Sequence, residues 1–329
     1  MASTTLTYMR ILITGGAGFI GSHLCDRLLA DGHRVTVLDD FSTGESQNLK
    51  QHEKNGNLEL ISGSILDLGT LEKLLPKNEY VFHLAAAVGV FNIVNNPLGS
   101  LLTNLRGTEN VLELCKKHNV PFFLSSSSEV YGKNIANSLT EDTDRILGSP
   151  TKLRWSYSEA KALDESLAYA YHVEKNLEIR IVRFFNTVGP RQLGTYGMVL
   201  PRFVKSALEN RPITIYGTGF QTRCFAHVLD VIDAVIDVAF SEKTIGKVIN
   251  IGNNYEISMN DLASLIIKIT NSKSEIEHIP YSQAYAAGFE DMERRVPSIE
   301  LINDLVGWKP KRDLPTIIAD ISADMKRGS

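Results

Sequence analysis

Short apolar runs alternate with amphipathic stretches through the first half of the chain. Residues 10–14 (RILIT) form an apolar run that stops at Gly15-Gly16. Residues 20–31 then place Ile20, Leu24 and Leu28 at helical spacing before Gly32 closes the helix. RVTVLD (34–39), LELISG (58–63), YVFHLAA (80–86) and PFFLSSS (121–127) read as further strands, with a long helix over about 100–118 between the last two. A second long helix runs from Trp155 to about Glu174 and leads into LEIRIVRFF (177–185). After Asn186 the alternation weakens. GPRQLGTYG (189–197) reads as a loop and Pro201 to Glu209 as a short helix. ITIYG (213–217) and KVINIG (247–252) read as strands. The second part of FAHVLDVIDAVIDVAF (225–240) and MNDLASLIIKIT (259–270) read as helices. Strands separated by helices predict a doubly wound parallel α/β sheet, with ligands at the carboxyl ends of the strands. The expected division is a nucleotide-binding domain over 1–185 and a smaller C-terminal α/β lobe over 186–329. Part of 225–252 is expected to return to the first domain.

Composition narrows the partners. Lys and Arg total 34 against 38 Asp and Glu, a net charge of −4, which argues against nucleic acid or an anionic membrane surface as the main partner. Cys25, Cys115 and Cys224 lie far apart and form no CxxC pair, so a zinc ribbon, a thioredoxin-like site and a disulfide scaffold are not expected. His23, His83 and His227 have no regular ligand spacing, and no metal site is expected. MASTTLTYMR lacks the charge-then-apolar pattern of a secretory signal, and no apolar run reaches the length of a membrane span. The expectation is a cytoplasmic protein.

The Gly15-Gly16-Ala17-Gly18-Phe19-Ile20-Gly21 segment follows a strand and opens a helix. Gly15 suits a tight turn, Gly18 the close approach of backbone to a pyrophosphate, and Gly21 close packing of helix on strand. The helix start, at Phe19 and Ile20, offers free N–H groups and partial positive charge to phosphates. This is a Rossmann-type signal. Asp39, 18 residues beyond Gly21 at the end of the next strand, has the spacing of an acid that accepts from adenosine ribose hydroxyls. It would repel a 2′-phosphate, Asp40 adds to the repulsion, and no Arg adjoins them, so NAD is expected rather than NADP.

Tyr157 and Lys161 stand in Tyr-Ser-Glu-Ala-Lys on a predicted helix and share one face at i,i+4. Lys161 can bond cofactor ribose and place positive charge near the phenol. A cation there lowers a Tyr pKa from about 10 by roughly 1–3 units, which makes Tyr157 a general base for a sugar hydroxyl.

Together with TGGAGFIG, LDDFSTG, FHLAAAVGV, TNLRGTENVLE, SSSSEVYG, RFFNTVGPRQ, QTRCFAHVLD and RRVPSI, these residues resemble the extended short-chain dehydrogenases/reductases that act on nucleotide sugars. The resemblance implies tightly held NAD, hydride abstraction from sugar C4 and a 4-keto intermediate. It implies that Ser127 completes the set with Tyr157 and Lys161, and that Asn104 steadies the site. Leu84, Ala85 and Ala86 would line the cofactor, and Thr43 and Gly44 would approach its adenosine phosphate. Asn186, Tyr216, Arg223 and Arg295 would hold the nucleotide diphosphate and base, with uridine implied. Gly63-Ser64-Ile65 departs from the usual pattern, since an Asp often follows the Gly, but Ser64 can still bond adenine. The resemblance also implies a homodimer paired through the two long helices.

Glu129 divides the possible reactions. In the resembled family a plain 4-epimerase carries a small or neutral residue there, whereas decarboxylases and 4,6-dehydratases carry Glu. The Arg154-Trp155-Ser156-Tyr157 run, QTRCF and GFEDMERRVPSI (288–299) resemble UDP-glucuronate decarboxylases. Arg154, Arg191 and Arg223 could meet a hexuronate carboxylate. FHLAAAVGV and RQLGTYGMVLPRF instead resemble sugar epimerases. The sequence reading puts a UDP-sugar 4-epimerase first and a UDP-glucuronate decarboxylase as the alternative. A 4,6-dehydratase and a non-catalytic NAD-binding protein stand behind these.

Overall fold

The computed structural model describes residues 8–89, 96–194, 198–280, 283, 292 and 294–327. Residues 1–7, 90, 195–197, 288–291 and 293, which lie within stretches used above, fall outside the described residues.

Short runs of mostly apolar residues suit the interior strands of a sheet covered on both faces, and an edge strand needs less burial. Six such runs become β1 (Arg10–Thr14), β2 (Arg34–Asp39), β3 (Leu58–Ser62), β4 (Tyr80–His83), β5 (Phe122–Ser127) and β6 (Ile179–Phe184). They pair in parallel in the order 3-2-1-4-5-6, and the strand Val248–Ile251 adds a seventh beside β6. The period of two sends successive side chains to opposite layers. Ile11, Ile13, Val35, Val37, Phe82, Phe123 and Val182 face a core shared with α1 (Phe19–Ala30) and the helix Val228–Ala239. Leu12, Leu38, Val81, Phe122, Leu124 and Ile181 face the opposite layer. That layer holds α2 (Leu68–Leu74), α3 (Pro97–His118) and α4 (Ser156–Lys175). This is the Rossmann-type doubly wound sheet that the alternation predicts. β3 is the edge strand, and its side chains are mostly part-exposed or exposed.

Segments after Asn186 build a smaller unit with an apolar core of its own. Helices Val199–Leu208, Met259–Thr270 and Leu314–Arg327 pack around the parallel pair Ile213–Tyr216 and Ile276–Ile279. Leu200, Phe203, Leu262, Ile266, Ile317 and Ile318 form its core. The strand Thr222–Cys224 pairs antiparallel with Glu256–Ser258 and carries Arg223 at its centre.

Candidate active site

β1 delivers the chain into the glycine turn. Gly15 has φ +73°, and a Cβ there would lie 2.6 Å from the Ala85 nitrogen, so both conformation and space demand glycine. At Gly21 a Cβ would run into the Gly15 carbonyl oxygen. Gly18 is different. Its φ is −73°, and a Cβ would meet only the Gly15 carbonyl oxygen, at 3.3 Å. The fold itself needs little from a bare residue there, whereas a phosphate approaching the start of α1 does. No side chain caps that helix start, which leaves its first-turn N–H groups for an anion.

Asp39 serves the loop as well as any ribose. One carboxylate oxygen accepts from the Ala17 amide at 2.8 Å and the other from the Phe41 amide at 2.9 Å. Burial raises its pKa, and those two amides oppose the rise. A Cβ on Gly44 would lie 2.9 Å from both Asp39 oxygens, so this glycine keeps the acid's surroundings open. Asp40 accepts from the Ser42 amide, and Thr43 lies in the same turn. Ser64 accepts from the Leu66 amide, while Ile65 is buried against Gly107.

The β4 end is built around His83, which lies between Thr14 Oγ1 at 2.8 Å and Thr108 Oγ1 at 3.1 Å. Burial, then the charge of Lys161, pushes its pKa down to about 3, so the ring is neutral. Leu84 and Ala85 follow against the glycine turn, with the Leu84 amide on the Thr14 carbonyl. Beyond Ala86, buried Asn104 accepts from the Ala87 amide at 2.7 Å and donates to its carbonyl at 3.2 Å, which fixes this loop.

Ser127 ends β5, and its hydroxyl accepts from the Glu129 amide at 3.2 Å. The Tyr157 phenol lies close enough to feel this hydroxyl. Desolvation raises the Tyr157 pKa, and the charges of Glu129 and Asp164 raise it further, whereas the Ser127 hydroxyl lowers it. Lys161 is buried with 1% exposure, and its Nζ makes no hydrogen bond among the described residues. Its ion-pair partner is Asp164, at 3.5 Å. A buried amine with unused donors fits a ligand hydroxyl beside it. With the open Gly18 and the uncapped α1, it makes the site a fit for NAD. Gly15, Gly18, Phe19, Ile20 and Gly21 would hold the diphosphate and Lys161 the nicotinamide ribose.

Beside Tyr157, Glu129 lies in the turn Ser128–Tyr131 and accepts from two arginines of distant origin. Arg154 Nη1 donates at 2.6 Å from the turn before α4, and Arg295 Nη2 donates at 2.7 Å from the segment 294–299. Arg295 also donates to Ser128 at 3.2 Å. Burial alone would raise the Glu129 pKa. The Arg295 and Arg154 charges overcome it and hold the carboxyl down at about 2. Arg154 also lies over the wholly buried Trp155 ring at 4.9 Å. Arg294 clamps both Glu256 oxygens, at 2.7 and 2.8 Å, and so ties the segment carrying Arg295 to the strand Glu256–Ser258.

In the smaller unit, Asn186 bonds the Cys224 carbonyl, and Tyr216 lies under the Arg202 guanidinium at 4.4 Å. The Arg223 charge is felt at Arg295. Arg191 does not join this group. Its φ of +67° turns it to α1, where it donates to Ser22 at 3.2 Å and Asp26 at 2.7 Å. The sequence reading grouped Arg191 with Arg154 and Arg223, and the structure separates them. The reading singled out neither Asp164 nor the Arg294–Glu256 clamp. For Asp164 a signal existed: it lies three residues beyond Lys161 on the inward stripe of a helix.

Among the described residues, no group of three or more His, Cys, Asp or Glu side chains could hold a metal ion. No helix there is long and apolar enough to cross a membrane.

Fold and site together define an enzyme of the extended short-chain dehydrogenase/reductase class. The chain belongs to the NAD dependent epimerase/dehydratase family, whose model matches residues 11–252. It is 41% identical over 303 residues to the UDP-N-acetyl-alpha-D-glucosaminuronate decarboxylase of Bacillus cytotoxicus, covering 92% of each chain. It is 37% identical over 301 residues to UDP-glucuronic acid decarboxylase 1 of Danio rerio, covering 92% of this chain and 69% of that one. Among solved structures, the UDP-glucuronic acid 4-epimerase of Bacillus cereus, in complex with UDP-glucuronic acid and NAD, superposes with a TM-score of 0.88. It is 31% identical and covers 98% of this chain and 100% of that one.

Proposed function

We propose that the chain is an NAD-dependent UDP-hexuronate decarboxylase working through a 4-keto sugar. This reverses the order in which the sequence reading placed epimerase and decarboxylase. One observation carries the proposal: the carboxylate of Glu129 is gripped by Arg154 and Arg295 beside the Ser127–Tyr157 pair. Two guanidiniums on a buried carboxylate form a site suited to a second carboxylate, and a neutral hexose has no use for it. The relatives named as decarboxylases of UDP-hexuronates support the same reading.

Bound NAD supplies the hydride acceptor, and later the donor, at sugar C4. Tyr157 takes the proton from O4, with Ser127 holding the phenol and Lys161 favouring the phenolate. The resulting C4 ketone makes the neighbouring C5–carboxylate bond labile. Its electron pair passes into the enolate of that ketone as CO₂ leaves, and a proton is then delivered to C5. A substrate carboxylate entering beside Arg154 and Arg295 competes with Glu129 for their charge. Glu129, thereby released from the setting that keeps its pKa low, takes up a proton from solvent and passes it to C5. Loss of CO₂ removes the competing charge and returns both arginines to Glu129. Tyr157 gives its proton back to O4 as C4 is reduced, so the sugar leaves as a pentose.

The same reading takes the working unit as a homodimer paired through α3 and α4. Leu163, Tyr169 and Val173 are exposed along α4, consistent with cover from a second copy. The reaction is tested by incubating the protein and NAD with UDP-glucuronate, UDP-N-acetylglucosaminuronate and UDP-glucose and weighing each product. The proposal expects a hexuronate product lighter by CO₂ and no change to UDP-glucose. A hexuronate product of unchanged mass and inverted C4 would return the chain to the epimerases.

A further inference from the structure

The helix that carries Tyr157 and Lys161 also carries a charge with no place in the mechanism above. Asp164 is wholly buried, one turn beyond Lys161, and stands 3.5 Å from its Nζ, which is itself 1% exposed. A carboxylate removed from water beside an equally buried ammonium is a closed ion pair, and neither charge is diluted by solvent. The two charges lie on the inward stripe with Tyr157, at positions 157, 161 and 164.

We propose that Asp164 is the fixed counter-ion of Lys161, a positioning residue that sets the pH at which Tyr157 becomes a base. Taken alone, the Lys161 charge would favour the phenolate strongly. Paired with Asp164, it acts as a dipole and its pull on the phenol is reduced. The inference rests on the reading of Tyr157 as acceptor of the O4 proton.

Other charged and titratable groups face this pair. Glu165, next on the helix, is engaged by Arg183 at 2.8 Å and by Ser126 at 2.6 Å, so it holds its own partners. Thr108 reaches Asp164 from α3 and is bonded to His83 of β4. His83 feels the Lys161 charge and stays neutral, so it does not compete for the carboxylate. Glu129 acts on Tyr157 from the turn after β5, but its charge is bound by Arg154 and Arg295. Burial raises the Asp164 pKa and the Lys161 charge, 3.5 Å away, opposes the rise.

The test is Asp164→Asn, which keeps the shape and removes the charge, read in two ways. The first is the tyrosinate absorbance that rises with pH, taken as the difference from Tyr157→Phe in the same background. The second is the pH dependence of first-turnover NAD reduction with UDP-glucuronate. Removing a negative charge near the phenol favours the phenolate. The midpoint in both readouts is therefore expected to move to lower pH by about one unit, a tenfold change in the acid constant. In a Lys161→Met background Asp164 is left without its counter-ion and takes up a proton, so the Asn substitution is expected to produce no shift. If Asp164→Asn does not fold, Asp164→Ser is read in its place. A folded variant whose midpoint stays put or rises overturns the proposal, even if its thermal stability drops, because a merely structural aspartate would lower stability alone. The absorbance titration uses no substrate, so it stands or falls independently of the decarboxylase reading.

Discussion

Glu129 is a carboxylate whose neighbours have fixed its protonation. Its folded pKa, about 2, lies below the ordinary value of 4.5. A depressed carboxyl pKa contributes stability that is fully present above the unfolded value and is lost as pH falls from there toward the folded value. The acid limb of the unfolding curve, between 4.5 and about 2, is therefore expected to flatten in Glu129→Gln when folding is followed by denaturant titration. The same variant is expected to slow protonation of C5, and with it release of the pentose product, by roughly 100-fold to 10,000-fold, the range for removal of a general acid–base. Oxidation at C4 should survive, and reduced NAD should accumulate during turnover, which absorbance reads directly. At this scale the sequence pointed to Tyr157 and Lys161 through their i,i+4 spacing, and to Glu129 as the residue that divides the possible reactions. It could not show the Arg154–Glu129–Arg295 clamp, because residues 129, 154 and 295 meet only through the tertiary fold. Nor could it show that Arg191 turns to α1, since the positive φ that aims it belongs to the turn and not to the residue type.

Elements were legible where one physical rule governs them. Both-face burial makes β1, β2, β4, β5 and β6 mostly apolar runs, and the sequence reading places the strand starts within two residues, while it carries β4 three residues past its end at His83. α4 is harder, because its polarity is inverted. Lys161, Asp164 and Glu165 are buried, whereas Leu163, Tyr169 and Val173 are exposed. A hydrophobic pattern locates such a helix without saying which side faces the protein. The glycine turn separates fold from function at single positions. Gly15→Ala forces a left-handed backbone on an L-residue, at about 1–2 kcal/mol, and drives a Cβ against Ala85. Its melting temperature is expected to fall. Gly18→Ala meets no such barrier and is expected to melt near the parent while binding NAD more weakly, as titration of the two variants side by side would show.

Across the whole molecule, the smaller unit is joined to the sheet by buried polar bonds as well as apolar packing. Asp230, on the helix Val228–Ala239, accepts from the Lys311 and Arg312 amides at 3.0 and 2.8 Å and pairs with the Arg312 guanidinium. Its carbonyl accepts from the Trp308 indole at 3.0 Å. Asp230→Ala strands those donors and is expected to cost about 3 kcal/mol in urea unfolding. Light scattering of the purified protein is expected to give the mass of a dimer, and a monomer at micromolar concentration would remove that part of the reading. The central claim is that the arginine-gripped Glu129 adapts a C4-oxidising site to carboxylate loss. It is tested most directly by supplying UDP-glucuronate labelled with ¹³C at the carboxyl carbon and following that carbon by NMR. The account predicts that the label leaves as CO₂ with the parent protein, and that with Glu129→Gln the pentose product forms far more slowly because C5 lacks its proton donor. Label retained on a C4-inverted sugar with the parent protein would contradict it.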